Sequence, residues 1–88
     1  MPDAATQGFL LYSRDGCGLC EEMLSELAAI PQISAIGLEV ADVDADPAIR
    51  GRYGHKVPVL LLGGELVCHG RLDLEELDKA LVHHRRPV

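Results

Sequence analysis

The chain has 88 residues and a formal net charge of −6, and 48% of it is hydrophobic. Those values describe one globular domain near the lower size limit for independent folding, and they exclude a disordered chain or a two-domain one. The only aromatics are Phe9, Tyr12 and Tyr53, which together with the acidic balance argues against nucleic acid as a partner, because phosphate contacts need cations and single strands also need stacking rings.

The chain opens with residues 1–7, which lack both a basic n-region and an apolar h-region. A cytoplasmic location is the expectation that follows. Structural disulfides are rare there, so closely spaced cysteines point to redox or metal chemistry. Three cysteines, an odd number, also argue against a disulfide framework.

Residues 8–13 read as a short buried strand, with Phe9, Leu10, Leu11 and Tyr12 in a row. Asp15-Gly16 breaks it. A helical pattern starts at Cys17 or Gly18, with Leu19, Met23, Leu24, Leu27 and Ala28 as its apolar stripe. Glu21 and Glu22 stand in its first turns, where negative charge suits the helix dipole. Pro31 marks its end.

Residues 36–43 are the second strand, with Leu38, Val40 and Asp42 on one face. A short helix follows, capped by Asp46, with Pro47 at its first position and Gly54 as its stop. Its basic cluster, Arg50, Arg52, His55 and Lys56, reads as a solvated face. Residues 57–62 form the third strand, opened by Pro58; this longest strongly apolar run is far too short to span a membrane. Gly63-Gly64 fits a hairpin turn and residues 65–69 return. The last helix is capped by Asp73, with Glu76 three residues on, a Leu72–Leu77 staple, and Leu74, Leu77, Ala80 and Leu81 as its buried stripe. His83, His84, Arg85 and Arg86 follow at the end where cations are favoured. The order β-α-β-α-β-β-α predicts an α/β domain over residues 1–88: a mixed four-stranded sheet flanked by helices, with a parallel first unit and an antiparallel final hairpin.

Chemistry concentrates on Cys17-Gly18-Leu19-Cys20. A Cys-x-x-Cys that ends a strand and opens a helix reads as a redox motif. Cys17, at the helix N-terminus, is the expected attacking thiol, since unpaired N–H groups there lower a thiol pKa. Cys20 returns to the same face one turn later. Arg14 can add positive charge, and Gly18 keeps the approach open. Leu19 either faces a partner or joins the core with Met23; the spacing allows both. Asp42 and Asp44 are candidate proton acceptors for Cys20, or simply a solvated strand end.

The segment Leu11-Tyr12-Ser13-Arg14-Asp15-Gly16-Cys17-Gly18-Leu19-Cys20, with Val57-Pro58-Val59 and Gly63-Gly64-Glu65-Leu66-Val67 downstream, resembles the glutaredoxin family. It is most similar to small bacterial glutaredoxin-like proteins with a Cys-x-Leu-Cys site. The resemblance implies a thioredoxin-like fold of glutaredoxin type and thiol–disulfide oxidoreductase activity. It implies Cys17 as nucleophile, Cys20 as resolving cysteine, Pro58 as a cis-proline facing them, and the Val57 backbone pairing with substrate. It implies Arg14 as a holder of a glutathione carboxylate. The expected partners are protein or small-molecule disulfides, with glutathione or a thioredoxin-type system as reductant and no permanently bound cofactor. Two departures stand out. Gly18-Leu19 replaces the usual aromatic inside the motif. Cys68-His69-Gly70-Arg71-Leu72-Asp73 replaces an acidic pair that would hold the glutathione amino group, leaving Asp73 alone.

Two other readings stay open on the residues themselves. One is a non-catalytic binding module on the same fold. The other is metal or iron–sulfur binding through Cys17 and Cys20, although Cys68 and His69, as neighbours on a strand, point apart. Cys68 alone reads as a strand residue.

Overall fold

The computed structural model describes residues 8–85. The leader reading of residues 1–7 and the cation at Arg86 lie outside these. Five helical or turn segments and four strands alternate: β1 (Phe9–Ser13), α1 (Gly18–Ala28), α2 (Pro31–Ile36), β2 (Leu38–Asp42), a 3-10 turn (Val43–Ala45), α3 (Pro47–Tyr53), β3 (Val59–Leu62), β4 (Glu65–His69) and α4 (Leu74–Arg85). The sheet order is β2-β1-β3-β4. β1 and β2 run parallel, while β3 is antiparallel to both β1 and β4. The mixed four-stranded thioredoxin-like sheet expected from the sequence is therefore present.

Period-two alternation divides the sheet into two buried faces. Phe9, Leu11, Leu60 and Leu62 point to one face and form the main core with Met23 and Leu27 of α1, Ile33 of α2 and Leu77 of α4. Registry explains the match, because Phe9 pairs with Leu62 and Leu11 with Leu60. Tyr12 points to the other face, where it stacks on Tyr53 of α3 at 5.6 Å between ring centroids. Val59, Leu61 and Val43 are buried as well. With both faces covered, β3 is apolar and buried along its whole length.

Local signals account for most boundaries. Asp46 caps α3 by accepting from the Ala48 N–H at 2.8 Å, with Pro47 at the first position. Asp73 caps α4 through Oδ1, which accepts from the N–H groups of Glu75 and Glu76 at 3.1 and 3.2 Å. Leu72 and Leu77 both pack into the core, as the staple requires. Gly63 and Gly64 have φ of 60° and 85°, the two positive values of a type I′ hairpin turn, so neither position suits an L side chain.

Four details differ from the sequence reading. Pro31 does not merely follow a helix end; it is the first residue of α2, which buries Ile33. The second strand is shorter than residues 36–43, because Ile36 closes α2 and Val43 turns into the 3-10 segment. Leu24, Ala28 and Leu74 are exposed. In α1 the buried stripe is instead Cys20, Met23 and Leu27. Finally, β4 carries a bulge between its pairs with Leu60 and Leu61, which leaves adjacent Val67 and Cys68 both buried.

Candidate active site

The site forms where β1 gives way to α1. The Cys17 N–H donates to the Arg14 carbonyl at 3.2 Å, closing a four-residue turn. Gly16, at its third position, has φ of 76°. That value defines a type II turn and explains why glycine stands there. Cys17 is then the N-cap of α1, with extended backbone geometry. Its carbonyl accepts from the Glu21 N–H at 3.1 Å, and its sulfur accepts from the Cys20 N–H, also at 3.1 Å.

Cys17 and Cys20 are joined as a disulfide, with their Cα atoms 5.2 Å apart. The two sulfurs differ in access. Cys17 is half-buried, whereas Cys20 is 3% exposed and belongs to the buried stripe of α1. An incoming reactant therefore meets Cys17 first. Gly18 is exposed, and a Cβ added there would meet open space. Leu19 is 42% exposed, so of its two sequence readings the outward one holds.

The sheet topology brings Val57 and Pro58 to this end of the molecule. β3 runs antiparallel to β1 with Val59 opposite Tyr12, so the residues before β3 lie beside the chain that leaves β1. The Val57–Pro58 peptide bond is cis. Pro58 is fully buried and its carbonyl accepts from the Gly70 N–H at 2.8 Å. Val57 is half-buried and lies beyond the last rung of both ladders formed by β3.

Arg14 is held in a geometry that the sequence did not reveal. Its Nε and one terminal nitrogen donate to the two carboxylate oxygens of Asp44, each at 2.8 Å. The other terminal nitrogen donates to the Gly54 carbonyl at 2.8 Å. One side chain thus ties the turn before Cys17 to the segment after β2 and to the stop of α3. The Arg14 hydrogen bonds hold the Asp44 carboxyl below the usual carboxylate range, with the charges of Arg14 and Arg50 adding to the effect. Asp44 is therefore committed to Arg14. Asp42 caps the 3-10 turn by accepting from the Asp44 N–H at 2.9 Å. Gly54 permits the arrangement: a Cβ there would lie 2.5 Å from the Arg50 carbonyl and 3.3 Å from the Arg14 guanidinium.

Cys68 is buried on β4, opposite Leu60, and burial is the main cause pushing its thiol pKa up. His69 beside it is exposed. Among the described residues no group of three or more His, Cys, Asp or Glu is placed to hold a metal ion. Among them, too, no helix is long and apolar enough to cross a membrane.

The chain as a whole is similar to known proteins. The chain is 28% identical over 74 residues to Rv0508 of Mycobacterium tuberculosis, covering 76% of this chain and 74% of that protein. The solution structure of Ne2328 from Nitrosomonas europaea is 29% identical and superposes with a TM-score of 0.74, covering 91% of this chain and 96% of that one. The X-ray structure of XcR50 from X. campestris is 28% identical, with a TM-score of 0.62, over 91% of this chain and all (100%) of that one. The holo form of glutaredoxin C1 from Populus tremula x tremuloides shares the fold, with a TM-score of 0.56 at 17% identity, over 91% of this chain and 79% of that one. The family described as "Glutaredoxin-like domain (DUF836)" matches residues 9–82. That match runs from the first residue of β1 deep into α4, and the chain belongs to the glutaredoxin-like domain family.

Proposed function

We propose that the protein is a thiol–disulfide oxidoreductase acting through Cys17 and Cys20. The observation that carries this reading is the place of Cys17: a half-buried N-cap sulfur that accepts the Cys20 N–H at 3.1 Å. A hydrogen-bond donor and the positive end of a helix both favour thiolate over thiol.

In the reduced protein the Cys17 thiolate attacks a substrate disulfide. A bond forms between Cys17 Sγ and one substrate sulfur, the substrate S–S bond breaks, and the other sulfur leaves as a thiolate that takes a proton. Cys20, having lost its proton to solvent, then attacks Cys17 Sγ. The mixed disulfide breaks, the second substrate thiol is released, and the Cys17–Cys20 disulfide remains. Two electrons pass from protein to substrate. A thioredoxin-type dithiol, or two molecules of glutathione that leave as glutathione disulfide, returns them.

Gly18, Leu19 and Val57 form the substrate-binding rim, buried Pro58 sets the backbone that presents Val57, and Arg14 is a positioning residue beside it. An extended substrate segment can pair with the Val57 backbone, which β3 leaves beyond its ladders. We place the activity in the cytoplasm, where a reducing poise keeps the pair available as a dithiol. The test is reduction of a polypeptide disulfide by the reduced protein under single-turnover conditions. The wild type should transfer two electrons per chain and Cys17→Ser none; a wild-type rate no greater than that of an equal concentration of a simple thiol overturns the reading.

A further inference from the structure

Charge near the disulfide is distributed in a way that the redox reading alone does not use. Arg14 is the cation closest in sequence to Cys17, and it is neutralised by Asp44 through a bidentate pair. Asp42 adds negative charge near Arg14, and Arg50 adds positive charge near Asp44, so this cluster balances to zero. Asp15, Glu21 and Glu22, the acidic residues nearest Cys17 in sequence, are all exposed and make no ion pair with Arg14. A thiol or disulfide that carries carboxylates thus meets no uncompensated cation at Arg14. A polypeptide disulfide needs no such cation; exposed Leu19 and the free Val57 backbone suit it.

We propose that Asp44 determines the substrate class of the Cys17–Cys20 site: by neutralising Arg14 it makes the site select polypeptide disulfides over small thiols and disulfides that bear carboxylates, glutathione among them. The proposal rests on the oxidoreductase reading for the word substrate, but its physical content is the reactivity of one disulfide toward two kinds of thiol. Asp44 and Arg14 are about a third exposed, at 35% and 38%, so a small anion can reach the guanidinium once its partner charge is gone. Asp44→Asn removes that charge, keeps the shape, and leaves an amide oxygen to accept from Arg14.

The experiment follows the opening of the oxidised pair by glutathione and by a neutral monothiol, 2-mercaptoethanol. In each case the thiolate attacks Cys17 Sγ, a bond forms between Cys17 Sγ and the incoming sulfur, the Cys17–Cys20 bond breaks, and Cys20 leaves as a thiolate that takes a proton. The readout is the ratio of the two second-order rate constants. In the wild type the ratio should be no higher than that measured for a neutral small-molecule disulfide. In Asp44→Asn it should rise about fivefold at low salt, the effect of one unit charge about 4 Å from a carboxylate in water, and the rise should collapse in 1 M salt. Glu65→Gln, at the start of β4 and paired with Leu62 at the end of β3 far from Val57, makes the same change in net charge and should leave the ratio alone. A wild-type ratio well above that of the neutral small-molecule disulfide, or an Asp44→Asn ratio equal to wild type, overturns the proposal. Failure of the reduced protein to reduce any polypeptide disulfide is a separate result: it removes the oxidoreductase reading and the name of the substrate, while the thiol ratio still decides whether Asp44 masks Arg14.

Discussion

The Cys20 N–H points at Cys17 Sγ from 3.1 Å. A peptide donor aimed at a sulfur from the next turn of the same helix stabilises that sulfur more as a thiolate than as a thiol. In the reduced protein, alkylation of Cys17 should therefore reach half its maximal rate below the free-thiol pKa of about 8.5. Cys20→Ser keeps the N–H and should keep the lowered midpoint, while trapping a mixed disulfide with substrate. Rate–pH profiles by mass spectrometry check both; a Cys17 midpoint at or above the free-thiol value contradicts the first.

Leu19 and Leu27 share a helix but not an environment. Leu27 is fully buried in the main core, so Leu27→Ala should lower unfolding free energy by about 2–5 kcal/mol. Leu19 is 42% exposed, so Leu19→Ser should stay within about 0.5 kcal/mol of wild type. Urea titration measures both, and polypeptide disulfide reduction should fall in Leu19→Ser despite its intact stability.

Cys68 is a thiol whose pKa burial raises. The folded state then holds the proton more tightly than the unfolded state, so the contribution to stability is fully present below the ordinary thiol pKa. It is lost as pH rises from there through the folded value. Cys68→Ala should flatten this alkaline decline in a urea series from pH 7 to 10. At neutral pH Cys68 should alkylate only as fast as the protein opens, well behind Cys17 in the reduced chain.

Gly54 and Asp44 support Arg14 from two sides. Gly54→Ala places a methyl group 2.5 Å from the Arg50 carbonyl, and a destabilisation of about 1–3 kcal/mol is expected from such overpacking. Asp44 has a lowered pKa because of Arg14. Its pairing therefore contributes fully above the unfolded carboxyl pKa of about 3.9 and fades as pH falls through the lower folded value. The stability gap between wild type and Asp44→Asn should be level from pH 5 to 8 and should close below about pH 4. A gap that does not change with pH would show that the charge pair is not its source.

Much of this molecule was legible because its signals are local. Asp46-Pro47, Asp73 with Glu76, and Gly63-Gly64 each carry their geometry within a few residues, and each stands where the sequence put it. Cys17 could be placed at a strand-to-helix turn for the same reason. The features that escaped are those set by distant partners or by very short segments. Arg14 and Asp44 are 30 residues apart, and nothing near either one names the other. α2 has six residues and one buried side chain, too little for a period to show. The spacing of α1 does not single out Leu24 and Ala28 as exposed, because apolar spacing alone does not say which way a helix is turned. Its face is fixed by Cys20, Met23 and Leu27 packing toward the sheet. Val67 and Cys68 could not both be placed inward by alternation, since the bulge that turns them is written in the pairing of β4 with β3.

The two borders of the sheet are defended by different means. β2 presents Glu39 and Asp42 along an exposed outer strand, so a second strand approaching it would have to bury carboxylates. β4 relies on geometry: its bulge shifts the rungs out of step between Leu60 and Leu61, and a straight strand laid alongside would find bonding groups at the wrong intervals. A domain of this size has little apolar surface to spare, and these borders keep its backbone from becoming a template for other chains.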